Sequence, residues 1–224
     1  ASVPASCTYD GVSDFDTSMQ FDCTFPLWYI ADPTSGAATN SVYFAEDWRA
    51  SVRAEDDNAA TSTLVETGFP VELNTFMMFS VDTNAIPYGE LEPGDFTDPL
   101  TATTTLRSTG NTGLDELLSG ESMCTYFTSA ISCVNSATST IADRHQTFGT
   151  SSVAFATASN TQGHILSSTT QSELEVNILK STATNTQEAS TTYWGIMVPW
   201  TISLAGAYTG ENTIWGVLGE PAQW

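Results

Sequence analysis

The sequence predicts an all-β protein built of antiparallel sheets packed face to face as sandwiches. Three observations predict it. Apolar residues recur with a period of two along much of the chain, which is the spacing of a strand with one buried face. Short apolar runs are separated by clusters of Gly, Pro, Asn and Asp, the residues of tight turns. Apolar spacing of helical period is nearly absent.

Taken in order, the first strand signal is "MQFDCTFPLWYI", where Phe21, Cys23, Phe25, Leu27 and Tyr29 share a face. In "DWRASVRAE", Trp48, Ala50, Val52 and Ala54 alternate with Arg49, Ser51, Arg53 and Glu55, the pattern of a half-buried strand. "EDDNAAT" then turns the chain, because Asp and Asn favour tight turns. "VELNTFMMFSV" is a further apolar run. "SELEVNILK" sets Leu174, Val176 and Ile178 inward and Glu173, Glu175 and Asn177 outward. The best helical signal is "GLDELLSG", with Leu114, Leu117 and Leu118 at helical spacing. Gly at both ends limits it to one or two turns, and an irregular strand fits it equally well. The stretch "DTNAIPYGELEPGDFTDP", rich in Pro, Gly and acids, reads as a connector between a first unit over residues 1–80 and a second over 81–224.

Charge narrows the function. Acidic residues number 26 against 5 basic ones, a net charge of −21, and Lys180 is the only lysine. A phosphate backbone would be repelled, so nucleic-acid binding is not expected, and anionic membrane surfaces are disfavoured for the same reason. No apolar run approaches the roughly 20 residues of a membrane span, so no membrane insertion is expected. Scarce lysine and abundant Ser and Thr suit an exported chain, with "ASVPASC" expected as the mature N-terminus left after removal of a signal peptide. No N-x-[ST] sequon occurs.

Four cysteines, Cys7, Cys23, Cys124 and Cys133, fit two disulfides in an exported protein. Three pairings are open. The local one, Cys7–Cys23 with Cys124–Cys133, needs the fewest assumptions. Zinc is disfavoured, because the spacings do not match C-x₂₋₄-C and His145 and His164 lie far from them.

Several segments together resemble a known family. "CTFPLWYIADP" followed by "DWRASVRAEDDNAATSTLVE" is similar to the end of an immunoglobulin-like module in secreted archaeal and bacterial surface proteins, including those of ultrasmall bacteria. "IPYGELEPGDFTDPLTATTTLRSTGNTGLDELLSGESM" resembles the next module, through Gly89, Leu91, Pro93, Gly94, Thr109, Gly110, Asn111, Leu114, Ser119, Gly120 and Met123. "TTYWGIMVPWTISLAGAYTGENTI" resembles its closing hairpin, through Trp194, Ile196, Val198, Pro199, Ala205, Gly206, Tyr208, Thr209, Gly210 and Thr213. The resemblance implies two Ig-like antiparallel β-sandwich domains in tandem, with turn and core roles for these residues and none in catalysis. It implies a structural subunit of an extracellular filament, appendage or surface layer, whose partners are copies of itself.

The closing aromatic stretch supplies the contact candidates. Trp194, Ile196 and Val198 form a core face, but the opposite face of Tyr193, Gly195 and Met197 is apolar too and must be covered. Either the two domains cover it or a neighbouring copy does. Tyr193, Met197, Trp200, Trp215 and Trp224 are therefore candidate subunit contacts, and the segment "ASVPAS" is a candidate for strand exchange. The rival function is an adhesin or carbohydrate-binding module that stacks sugars on the same aromatics.

Catalytic signals are poor. His145 beside Asp143 lacks a G-x-S-x-G elbow, and Glu173 with Glu175 reads first as a solvated face. No enzyme is expected. No metal site is assigned, and calcium is the one cofactor that the acidic loops suit. These are Asp10, Asp14, Asp16 and Asp22; Glu55, Asp56 and Asp57; and Glu90, Glu92, Asp95 and Asp98.

Overall fold

The computed structural model describes residues 6–9, 21–36 and 41–224. The protein is all-β. Among the described residues its strands are β1 (Ser6–Tyr9), β2 (Phe21–Thr24), β3 (Ser51–Val52), β4 (Val65–Glu66), β5 (Phe79–Val81), β6 (Ala102–Ser108), β7 (Leu114–Gly120), β8 (Met123–Cys124), β9 (Thr140–Ile141), β10 (Gln146–Gly149), β11 (Ser172–Ile178), β12 (Ala189–Ile196) and β13 (Asn212–Leu218), with one short α-helix, α1 (Phe155–Ser159). Every pairing is antiparallel.

Two sheets make the sandwich: a four-stranded one in the order β10-β12-β6-β5 and a three-stranded one in the order β11-β7-β13. Alternation explains why they meet. Ala102 and Leu106 of β6, Phe148 of β10 and Trp194 of β12 point in from one sheet. Leu114 and Leu118 of β7 and Leu174, Val176 and Ile178 of β11 point in from the other. Phe148 and Trp194, cross-strand partners, set their rings 5.6 Å apart and tilted, and the Trp194 indole N–H donates to Thr104 Oγ1. "SELEVNILK" adopts the predicted alternation, and "GLDELLSG" is a strand. Its residues 114, 116 and 118 face the core, and the leucine spacing that suggested helix comes from Leu117 on the outer face.

The expected connector is part of the sandwich. Phe96 bridges to Met197, backbone bonds join Gly94 and Asp95 to Val198, and Ile86 and Tyr88 pack on the core. The sandwich also takes in Phe79–Val81, at the end of the first expected unit. Ahead of it the chain is different. Among the described residues, no hydrophobic side chain before Leu100 is fully buried. The predicted half-buried strand around Trp48 is reduced to Ser51–Val52, paired only with Val65–Glu66 and exposed on both faces. Trp48 makes a single bridge to Val71. Among the described residues no second sheet pairs with or packs on this ladder to take the apolar face, so alternation alone does not build a long strand here.

Cys124 and Cys133 are disulfide-bonded. Cys23 is disulfide-bonded as well, and the β1–β2 register sets Cys7 opposite it.

Candidate functional site

Two features stand apart from ordinary sandwich packing. The first is an arm, residues 25–36 and 41–78, which carries more than half of the exposed large hydrophobic side chains among the described residues. Phe69 is 88% exposed, and Val52 and Val65 face solvent as a cross-strand pair. The arm is tied down at a few points. Lys180, only 7% exposed, reaches from the sandwich to the Asp32 carboxylate at 2.6 Å and the Ile30 carbonyl at 3.0 Å, with the Tyr43 ring 5.8 Å away. Asn111 accepts the Phe76 N–H at 2.6 Å and donates to Asn74 O at 3.1 Å. The Trp48 indole N–H donates to Asp32 O.

The predicted contact residues divide. Trp200 is 83% exposed, lying across Gly94, where a φ of 97° and the overhanging ring leave no room for a side chain. Trp215 is exposed and Trp224 half-buried, its indole N–H donating to Gly219 O. Tyr193 and Met197 are half-buried within the chain, packed with Leu100, Phe155 and Ala158, so the second apolar face of this strand is covered by α1 and the segment before β6. Residues 1–5 of "ASVPAS", the Cys7 side chain, and Asp10, Asp14 and Asp16 lie outside the description.

The second feature is an acidic cluster on the outer face of the three-stranded sheet. Carboxylate oxygens of Asp115 on β7, Glu175 on β11 and Glu220 after β13 lie within 4.8 Å of one another. The β7–β11 register shifts between Leu174 and Ile178, and Asn177 takes a φ of 53° there. This bulge turns the Asn177 N–H onto Asp115 Oδ1 at 2.7 Å. The C-terminal 3₁₀ turn Pro221–Gln223 then lays Gln223 over the gap. Its Nε2 meets Asp115 Oδ2 at 3.0 Å, Asn177 Oδ1 at 2.8 Å and Glu220 Oε2 at 2.8 Å. Gly113 makes the approach feasible, since a Cβ there would strike Gln223.

No ion pair among the described residues involves these three acids. Desolvation, then the charges of Asp115, Glu220 and Glu173, hold the Glu175 carboxyl above its ordinary range. Beside the cluster, Glu116 points into the core, fully buried. Its Oε2 accepts the Thr192 hydroxyl at 2.6 Å, its Oε1 has no partner, and burial pushes its carboxyl up to about 7.

Of the carboxylates singled out from the sequence, only Glu175 belongs to this cluster. The sequence does not single out Asp115, because the segment that carries it fits helix and strand equally well, nor Glu220, which the chain brings here only through the fold. Read as a strand, that segment puts Asp115 on the same face as Glu175. Asp143 and His145 share a 3₁₀ turn, where Asp143 accepts the backbone N–H groups of Arg144 and Ser168. No protein-family model matches the chain, and comparisons with curated proteins and with solved structures give no match.

Proposed function

We propose that the chain is a non-catalytic structural subunit of an extracellular filament, appendage or surface layer, joined to copies of itself through strand edges and apolar surface. The observation that carries this reading is the arm: an apolar segment, residues 25–36 and 41–78, whose only sheet among the described residues is the two-stranded β3–β4. Contiguous exposed apolar surface marks contact sites, and an isolated two-stranded ladder such as β3–β4 is marginal in water. A neighbouring sandwich supplies what the arm lacks. The resemblance to Ig-like surface modules points the same way.

Sedimentation across a wide concentration range tests the idea. The native chain is expected to self-associate, and Val65→Ser with Phe69→Ser to weaken association at least tenfold without lowering the melting temperature. A native chain that stays monomeric throughout refutes it.

A second reading, glycan binding, has its own support. Trp200 offers an open ring, and a cleft of about 570 Å³ is lined by Tyr88, Tyr208, Asn84 and Asn212. A specific glycan-array signal lost in Trp200→Ala would favour it over assembly.

A further inference from the structure

We propose that the cleft between residues 81–88 and the start of β13 holds a ring of an uncharged glycan. Such a site presupposes that the protein binds glycans, and it sets the sugar in the cleft and not on Trp200, which lies outside the lining. The cleft has a volume of about 570 Å³, inside the range of roughly 300–1,000 Å³ usual for small-ligand sites.

Two polar side chains of the lining are more than nine-tenths buried, Gln146 at 2% exposed and Thr104 at 3%. The orientation of the Gln146 amide is fixed by its neighbours. Its Oε1 accepts the Tyr88 hydroxyl at 2.9 Å and Asn212 Nδ2 at 3.1 Å, while its Nε2 donates to Glu121 O at 3.2 Å. Reversing the amide would set one N–H group against another at Asn212 and an oxygen against the Glu121 carbonyl. Burial holds the Tyr88 phenol well above its ordinary range, so its proton stays in this network. The acceptor end of Gln146 is thus fully used. Nε2 carries two hydrogens, and among the described residues only one of them finds an acceptor. Thr104 is in the same position. Its Oγ1 accepts the Trp194 indole N–H at 2.9 Å, and its own hydrogen has no acceptor among the described residues. The unused hydrogen-bonding capacity of these two buried groups is therefore donor capacity, and a ligand here must bring oxygen acceptors.

Charge and the remaining lining narrow the class. Glu211 is the one charged side chain of the lining, and no Lys, Arg or His joins it. An anionic ligand would meet this carboxylate and a chain of net charge −21 with no basic group to receive it. A carboxylate only accepts, so the ligand must donate to Glu211 as well as accept from Gln146 and Thr104. Hydroxyl groups do both. The walls ask for something else: Ile86, Ile214 and Met123 are apolar, and Tyr208 adds a ring. A pyranose meets both demands, with C–H groups on its faces and hydroxyls round its rim. Asn84 and Thr83 stand ready for the outer hydroxyls.

A glycan array carrying neutral, sialylated and sulfated glycans, read with the full chain, tests this. Saturable binding confined to neutral glycans is expected. Ala85→Trp, at an exposed position of the lining, fills the cleft, and Asn84→Ala with Glu211→Ala strips two exposed polar groups from it. Each is expected to weaken binding at least tenfold with the melting temperature unchanged, and Trp200→Ala to leave it within twofold. Loss in Trp200→Ala alone, or equal loss in all three variants, overturns the cleft as the site while glycan binding stands. Preference for sialylated or sulfated glycans overturns the ligand class. An array without any signal overturns the site and the glycan-binding reading together.

Discussion

The sandwich and the arm are written in the same alphabet of alternating apolar and polar residues, yet one builds a core and the other does not. In β11 the inward side chains Leu174, Val176 and Ile178 meet Leu114 and Leu118 of their own sheet and Trp194 and Leu106 of the facing one. In the arm, Val52 and Val65 pair across a ladder and both stay more than half exposed. Alternation tells a segment to be a strand, but the second layer decides whether the strand is stable. The two regions should therefore respond in opposite ways to loss of an apolar side chain.

Trp194→Ala gives the largest effect. It removes the biggest fully buried side chain and strips Thr104 of its indole donor. Such a deletion costs about 3–5 kcal/mol, a large part of the stability of an ordinary domain. Denaturant unfolding should show the loss in full. A loss below about 1 kcal/mol would mean that this core is no better packed than the arm, and the comparison would fail.

Glu116→Gln sharpens the comparison from inside the core, with opposite sign. The Glu116 carboxyl titrates near 7 when folded, above its ordinary value of 4.5, chiefly through burial. Its folded form therefore prefers the proton. The stability this group contributes is whole below about pH 4.5 and is lost as pH rises through about 7. At neutral pH the amide, which never ionises, should be the more stable by about 3 kcal/mol. The advantage should vanish near pH 4. Chemical unfolding at the two pH values measures it. An advantage equal at both would assign the effect to packing and not to the proton.

How far these regions could be read from sequence follows from the same physics. The faces of β11 and the core side of Trp194 were legible, because period two and a single buried face leave one solution. "GLDELLSG" was ambiguous because Leu117 is apolar yet faces outward, which adds a helical spacing to a strand. With that assignment open, Asp115 could not be set beside Glu175. Glu220 and Gln223 could not be placed at all, since only the fold returns the C-terminal turn to β7. Tyr193 and Met197 form an apolar face that needs a cover, and much of the cover is α1, a five-residue helix with no cap signature and little periodicity to announce it. Around Trp48 the pattern was present and the opposing layer was not.

The smallest expected effect bears on the seam between the two regions. Lys180 is the lone lysine of an acidic chain, and it is spent on holding residues 30 and 32 of the arm. Lys180→Met keeps most of the stem volume and removes the ammonium. Because the Asp32 end is partly solvated, the loss should be about 1–2 kcal/mol, between the values for exposed and fully buried pairs. If the arm opens as a unit of its own, that loss belongs to the arm alone. Limited trypsin digestion separates the cases, since Arg49 and Arg53 lie on the arm, while Arg107 lies in β6 and Arg144 in a 3₁₀ turn of the sandwich. Cleavage at the first two should speed up roughly tenfold, with the cooperative melting of the sandwich unchanged. Should the melting fall instead, arm and sandwich would unfold together, and the contrast drawn between them would be one of exposure and not of stability.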